Sequence, residues 1–150
     1  MAYATVEAAL ATVLRGATGF DTTNVVVGHF RPLASKKESV TLTPGAVAGR
    51  TSQGNRTVTT EWVVNVQYFV KATDHNNVED VYATIAAGRQ KLIDEVDKYP
   101  TLNGTTGVVI ARIVDAGEPD WLQQGRSYIW QQMLRCTIRE TVLISGGEYA

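Results

Sequence analysis

Residues 57–71 read TVTTEWVVNVQYFVK, and apolar and polar side chains alternate over almost the whole segment. Because successive side chains of a β-strand point to opposite faces, this pattern predicts a strand with one buried face. At ~3.3 Å per residue the strand would extend ~50 Å, far beyond an ordinary strand, so it either bends around a core or projects from it. The predicted buried face carries every second residue: Val58, Thr60, Trp62, Val64, Val66, Tyr68 and Val70.

The same alternation returns at residues 127–144 and predicts a second long strand. Runs of β-branched residues predict shorter strands at 24–30, 39–43 and 108–114. Residues 44–56 have no period and contain three glycines, so we expect a flexible loop there, longer than most connections in compact domains. A second loop is expected at 115–120, carrying Trp121.

Two segments have the apolar spacing of amphipathic helices. The first is residues 5–14, with Thr5 as the N-cap, and the second is residues 77–99, with Asn77 as the N-cap and Pro100 as its end. The predicted order is therefore α-β-β-β-α-β-β. Because hairpins join neighbouring strands, we expect an α+β fold with an antiparallel or mixed sheet, long hairpin strands and two helices packed on one face.

Length and composition exclude several classes of protein. The chain has 150 residues, 44% hydrophobic and 19% charged, which is typical of one globular domain rather than a disordered chain. We expect a single domain over residues 1–150 with a short flexible tail at 145–150. The formal net charge of −1 lacks the basic excess of a dedicated DNA-binding domain. No apolar run approaches the ~20 residues that cross a bilayer, so no membrane association is expected.

The sequence contains no motif that indicates catalysis. Phosphate-binding loops, dinucleotide fingerprints and nucleophile elbows are missing, and neither His29 nor His75 has metal-ligand spacing to other donors. Cys136 falls on the apolar face of the last strand, where a cysteine acts as a small hydrophobic residue. We therefore expect a protein without catalytic residues, cofactor or metal, and not an enzyme.

Charge is unevenly distributed along the sequence. Residues 29–56 carry five basic residues and one acid, a net charge of +4, whereas residues 74–98 carry three basic residues and six acids, a net charge of −3. Ordinary surface polarity explains this pattern adequately, but oppositely charged sides could also meet on neighbouring copies of the chain. The candidate contact residues are Arg31, Lys36, Lys37, Arg50, Arg56, Glu79, Asp80, Asp94 and Glu95.

Four apolar residues interrupt the polar faces of the two longest strands: Val63, Phe69, Ile129 and Met133. Either the chain itself or a neighbouring subunit covers them, and we favour the chain itself.

The order and length of the elements over residues 3–144 resemble the tail terminator, or tail completion, proteins of long-tailed bacteriophages, relatives in fold of the lambda tail terminator. The resemblance rests on the long Trp-bearing strand TEWVVNVQY at 60–68, the helix start NVED at 77–80 and the final strand YIWQQMLRCTIRE at 128–140. It is a resemblance of pattern, because this family has no short diagnostic motif.

The resemblance implies a virion protein, assembled in the host cytoplasm, that forms a hexameric ring on the tail tube of a non-contractile tail. Its partners would be the tube protein on one side and a neck or connector protein on the other, with DNA passing through without sequence-specific binding. The 44–56 loop, with Arg50 and Arg56, would line the channel or contact a neighbouring ring; its basic charge favours the contact.

Alternatives are another neck or tail component, such as a head–tail stopper or the tube protein, and, from a different class, a small α+β ligand-binding or enzymatic domain. That last class predicts a deep apolar pocket with convergent polar groups.

Overall fold

The computed structural model describes residues 3–28, 37–53, 57–72, 78–124 and 127–143. Two helices are present in these ranges, α1 at Tyr3–Leu14 and α2 at Val78–Lys98. The strands are β1 at Val25–Val27, β2 at Glu38–Gln53, β3 at Thr57–Ala72, β4 at Val108–Ala116, β5 at Asp120–Gln124 and β6 at Ser127–Leu143. The predicted α+β class is confirmed.

The described strands form one mixed sheet in the order β1-β2-β3-β6-β4, with β5 also paired to β6. β1 runs parallel to β2, and every other pair is antiparallel. The central pair, β3 and β6, keeps one register without interruption from Thr57 opposite Leu143 to Ala72 opposite Tyr128. β4 and β5 occupy successive parts of the other edge of β6, so β6 is paired on both sides along most of its length.

Both helices pack on one face of this sheet, as the sequence predicted. The alternating residues of β3 and β6 meet α1 and α2 in a single hydrophobic core. Fully buried members of that core include Leu10 and Leu14 from α1, Leu92 and Val96 from α2, and Val64, Val66, Leu134 and Ile138 from the central strands.

Gly88 lets the backbone of α2 approach the sheet closely. A Cβ atom at Gly88 would lie 1.9 Å from the hydroxyl oxygen of Tyr68 and 2.5 Å from the ring carbon that carries it. The Tyr68 side chain is fully buried, and its hydroxyl donates a hydrogen bond to Glu38 Oε1 at 2.5 Å. A glycine in mid-helix costs about 1 kcal/mol relative to alanine, so this position trades helix propensity for packing.

The predicted flexible loop at 44–56 is wrong for the part that the structure describes. Residues 44–53 continue β2 and pair with residues 57–64 of β3. Two register shifts, between Pro44 and Val47 and between Val47 and Gly49, place extra residues in β2 and remove its period of two. Gly45 fits because a Cβ there would lie 2.7 Å from Val63 Cγ1. Residues 54–56 lie outside the described ranges.

Two further boundaries differ from the sequence prediction. The expected loop that carries Trp121 is followed at once by a strand, because Asp120–Gln124 pairs with β6; the element order therefore gains one strand. α1 begins at Tyr3 rather than being capped at Thr5, and the Tyr3 hydroxyl donates a hydrogen bond to the Glu7 carboxylate one turn later. The predicted cap Asn77, Ile144 and the 145–150 tail lie outside the described residues.

The four apolar residues that interrupt the polar faces of β3 and β6 are mostly buried within the single chain. Phe69 and Ile129 are each 1% exposed and Val63 is 8% exposed, whereas Met133 is 36% exposed. Coverage by the chain itself is therefore confirmed for three of the four residues, and Met133 stays at the surface.

We predict that Gly88→Ala lowers the free energy of unfolding by roughly 1–3 kcal/mol, because the new methyl group overlaps the Tyr68 phenol. Gly49→Ala is the matched control: a Cβ there meets nothing within 4 Å, so a change within about 0.5 kcal/mol is expected. Urea denaturation of both variants measures the difference. Equal or increased stability of Gly88→Ala would show that α2 does not press on Tyr68.

Candidate functional site

The structure separates the predicted basic residues instead of collecting them in one patch. Arg31, Lys36 and Arg56 lie outside the described residues. Lys37 directly precedes β2, and Arg50 lies near the other end of that strand. Thirteen residues of extended chain correspond to ~43 Å, so these two charges lie at opposite ends of the sheet.

The predicted acidic residues are also divided between two places. Glu79 and Asp80 lie in the first turn of α2, where the side chains are not described, whereas Asp94 and Glu95 lie in its C-terminal half. At 1.5 Å rise per residue these pairs are ~20 Å apart. Asp94 accepts a hydrogen bond from Gln90 Nε2 at 2.8 Å. Glu95 instead lies against the turn that follows α1, because a Cβ on Gly16 would lie 2.9 Å from Glu95 Oε1.

An open groove runs between the C-terminal parts of the two helices. Its volume is about 490 Å³, and Glu95 and Lys98 line it together with Ala9 of α1 and Gly16 of the turn that follows α1. The Lys98 ammonium lies 5.4 Å from the centre of the Tyr99 ring. The groove is wide open, and its lining lacks the histidine or cysteine that would suggest a nucleophile or general base.

A buried polar cluster lies beneath α1. Trp62 Nε1 donates a hydrogen bond to Glu140 Oε1 at 3.2 Å, and the Tyr3 ring meets the Trp62 ring edge-on at 5.7 Å. Glu140 is 1% exposed, and its Oε2 has no hydrogen-bond partner in the part of the chain that the structure describes. The sequence analysis missed this carboxylate; the available signal was its phase, since Glu140 is two residues from the inward-facing Ile138.

The described residues hold no cluster of potential metal ligands. No group of three or more histidine, cysteine, aspartate or glutamate side chains among them could hold a metal ion. Cys136 is fully buried, as predicted, and this burial raises the pKa of its thiol to about 12. At neutral pH the side chain is therefore a protonated thiol rather than a nucleophilic thiolate. No described helix is long and apolar enough to cross a membrane.

An aromatic cluster lies where α2 begins and β5 pairs with β6. Trp121 and Trp130 face each other across the two strands with ring centres 3.7 Å apart. The rings of Tyr128 and Tyr82 meet this pair edge-on, at 6.0 Å from Trp121 and 6.4 Å from Trp130 respectively. Tyr82 is 59% exposed and Trp121 is 36% exposed. The sequence analysis missed this cluster because it placed Trp121 on a loop instead of a paired strand.

The second face of the sheet is polar at the end that contains the β2–β3 hairpin. The hydroxyls of Thr59 and Thr141 are 3.0 Å apart, and Glu61 lies opposite Arg139 in the register. With Gly49 and Thr51 these residues line a shallow depression of about 350 Å³. Further along β6, the exposed Arg135 and Asp115 form an ion pair at 3.9 Å. This surface is polar without an excess of either charge.

No family model matches the sequence. No curated protein matches it either. Among solved structures, a chain of the virion of a native gene transfer agent particle has a similar fold, with a TM-score of 0.55 and 16% sequence identity. The similarity covers 92% of this chain and 99% of that chain, so both have nearly the same extent. At this identity the comparison shows a shared fold over almost the entire chain.

We predict that the protein loses stability as the pH rises above about 10. Burial, and then the hydrogen bond to Glu38, raise the pKa of the Tyr68 phenol above its ordinary value; burial likewise raises the pKa of Cys136. As the pH rises, the phenol and the thiol lose their protons at a lower pH in the unfolded chain than in the folded chain. Their contribution to the free energy of unfolding is therefore complete below the ordinary pKa values and is lost progressively above them. For Tyr68 alone the loss is about 1.4 kcal/mol near pH 11.

Tyr68→Phe is the control for this effect. It lacks the phenol, so its free energy of unfolding should fall less between about pH 9 and about pH 11 than that of the parent protein. Urea denaturation at each pH measures the difference. Parallel curves for the two proteins would contradict the assignment to Tyr68.

Proposed function

We propose that this chain is a structural protein of a phage-like virion. The observation that carries the proposal is the fold shared with a chain of a gene transfer agent virion over 92% of this sequence. The surface chemistry also supports it, because two depressions lined by described residues are wide open, and the thiol of Cys136 is buried. A structural role without catalysis or cofactor accounts for both observations.

Within the virion, we assign the chain to the end of the tail tube as a tail terminator. Six copies would form a ring that stops tube polymerisation and presents a surface to a neck or connector protein. DNA would pass through the ring without sequence-specific binding, and the tail would be non-contractile. This assignment is supported by the resemblance to tail terminators in element order over residues 3–144 and by the formal net charge of −1, which disfavours strong retention of DNA.

The sheet is suited to form the wall of such a ring. β3 and β6 form sixteen consecutive residue pairs in one register. The sheet is therefore a long plate, stiffened on one face by two helices. The predicted contact residues lie towards different ends of this plate, Lys37 at one end and Arg50 at the other. A cyclic ring requires contacts between unlike surfaces, because each subunit presents one patch to one neighbour and a different patch to the other.

Two outer strands of the sheet, β1 and β4, are partly protected against uncontrolled strand addition. The Arg15 guanidinium donates to the Val25 carbonyl on β1 at 3.0 and 3.1 Å. On β4, the Ala111 amide donates to the Pro100 carbonyl at 2.7 Å, and two register shifts interrupt the strand. Such devices limit edge-to-edge association of sheets. They fit a subunit that closes a ring once better than one that adds without limit.

We predict that the purified chain at high concentration has a native mass of about six times the 16.3 kDa of one chain and shows rings with a central hole in negative-stain images. Native mass spectrometry and imaging of the same sample provide the measurement. When purified tube protein is added, the rings should decorate tube ends and stop tube growth.

The other outcomes identify the alternatives. Continuous tubes formed by the chain alone would assign it as a tube protein, and rings that bind the neck but ignore tube ends would assign it as a stopper. A monomer that also ignores tube ends would contradict a tail role and support the ligand-binding class.

A further inference from the structure

The turn that joins α2 to β4 contains a chemically labile pair of residues. The sequence has six asparagines, and Asn103-Gly104 is the single place where glycine follows one of them. Asparagine is among the thermolabile residues, and a following glycine has no Cβ atom that would hinder its own backbone nitrogen. Asn103 is exposed and helps to line the open groove between the helices, so water reaches its side-chain amide.

The turn holds this pair in a left-handed backbone conformation. Leu102, Asn103 and Gly104 follow one another with φ angles of 52°, 58° and 77°. Such angles are uncommon outside glycine, although asparagine and aspartate adopt them more readily than other residues. The Leu102 side chain is 2% exposed and belongs to the hydrophobic core. Burial of this side chain therefore anchors the turn in its conformation.

The hydroxyl of Thr101 binds the backbone nitrogen of Gly104, whose amide donates to Thr101 Oγ1 at 3.2 Å. Thr101 is itself held in place, because its carbonyl accepts a hydrogen bond from the Thr105 amide at 3.1 Å. The Thr105 hydroxyl in turn donates to the Leu102 carbonyl at 2.7 Å. A backbone nitrogen that attacks the preceding side chain must lose its proton, and in the folded chain the proton of Gly104 is held by this network.

We propose that Asn103 is a site of spontaneous deamidation and that the Thr101 hydroxyl restrains the reaction. The Gly104 nitrogen attacks Asn103 Cγ and forms a bond to it, while the bond from Cγ to Nδ2 breaks. Ammonia leaves and takes with it the proton of the Gly104 amide. Water then opens the cyclic imide at either of its carbonyl carbons, which gives aspartate or isoaspartate. Only the turn and water take part, so the inference is independent of the proposed virion role.

The two products differ in their effect on the fold. Aspartate keeps the length of the backbone and tolerates the left-handed region as asparagine does, so the turn persists. Isoaspartate routes the backbone through the side chain and inserts one more atom between Leu102 and Gly104. This insertion disturbs a turn whose position depends on the buried Leu102 side chain. Either product also adds a negative charge to the groove that Glu95 and Lys98 line.

Peptide mapping by mass spectrometry during incubation in mildly alkaline buffer tests the proposal. The parent protein is compared with Thr101→Ala, which lacks the hydroxyl, and with Thr101→Ser, the matched control that keeps it; position 101 is exposed, so both variants should fold. Loss of one hydrogen bond should accelerate deamidation of Asn103 roughly threefold to tenfold in Thr101→Ala, whereas Thr101→Ser should match the parent. In the parent unfolded by urea, Asn103 should react before every other asparagine and roughly tenfold faster than in the folded chain.

Equal rates in the parent and Thr101→Ala, or equal acceleration in Thr101→Ser, would overturn the role of the hydroxyl. Faster reaction at another asparagine of the unfolded chain would overturn the choice of Asn103. A further comparison separates the two products. Asn103→Asp should unfold at the same urea concentration as the parent, whereas the aged fraction that carries isoaspartate, separated by chromatography, should unfold at a lower one. Identical midpoints for these two forms would overturn the effect assigned to the inserted backbone atom.

Discussion

The unbroken antiparallel register between β3 and β6 is the constraint on which the rest of the structure depends. Sixteen consecutive partners, from Thr57 opposite Leu143 to Ala72 opposite Tyr128, fix which side chains of both strands face the helices. A slip of one residue would turn every one of these side chains to the other face, so the burial of one face specifies the register strongly. Core, helix docking and both sheet edges follow from this single alignment.

The helices adapt to the sheet rather than the reverse. α2 gives up helix propensity at Gly88 so that its backbone can lie against the Tyr68 phenol, whose hydroxyl is in turn fixed by Glu38 at the start of β2. α1 covers Trp62 and the buried Glu140 through Tyr3. In both places an aromatic residue of β3 sets the position of a helix, and its polar atom is hydrogen-bonded to a glutamate on an adjacent strand.

The sequence predicted those features that have a period and missed those that depend on pairing. Alternation identified β3 and β6, and helical spacing identified both helices, because each signal is local. β2 beyond Thr43 was read as a loop, since its bulges at Val47 and Gly49 destroy the period while the ladder to β3 continues. β5 was missed because its five residues are too few to show a period, and only their pairing with β6 makes them a strand. The aromatic cluster around Trp121 and Trp130 was missed with it.

The charge pattern shows how a correct count along the sequence can mislead in space. Residues 29–56 carry a net charge of +4, but an extended strand distributes Lys37 and Arg50 to opposite ends of the sheet. The same extension gives the charges a different meaning. A long plate has at one end a hairpin without acidic residues between positions 39 and 60, and at the other end the aromatic cluster of Trp121 and Trp130. These two ends are unlike, and a small round domain with the same composition would bring them close together. Head-to-tail association needs that separation, because each copy must offer one end while it receives the other.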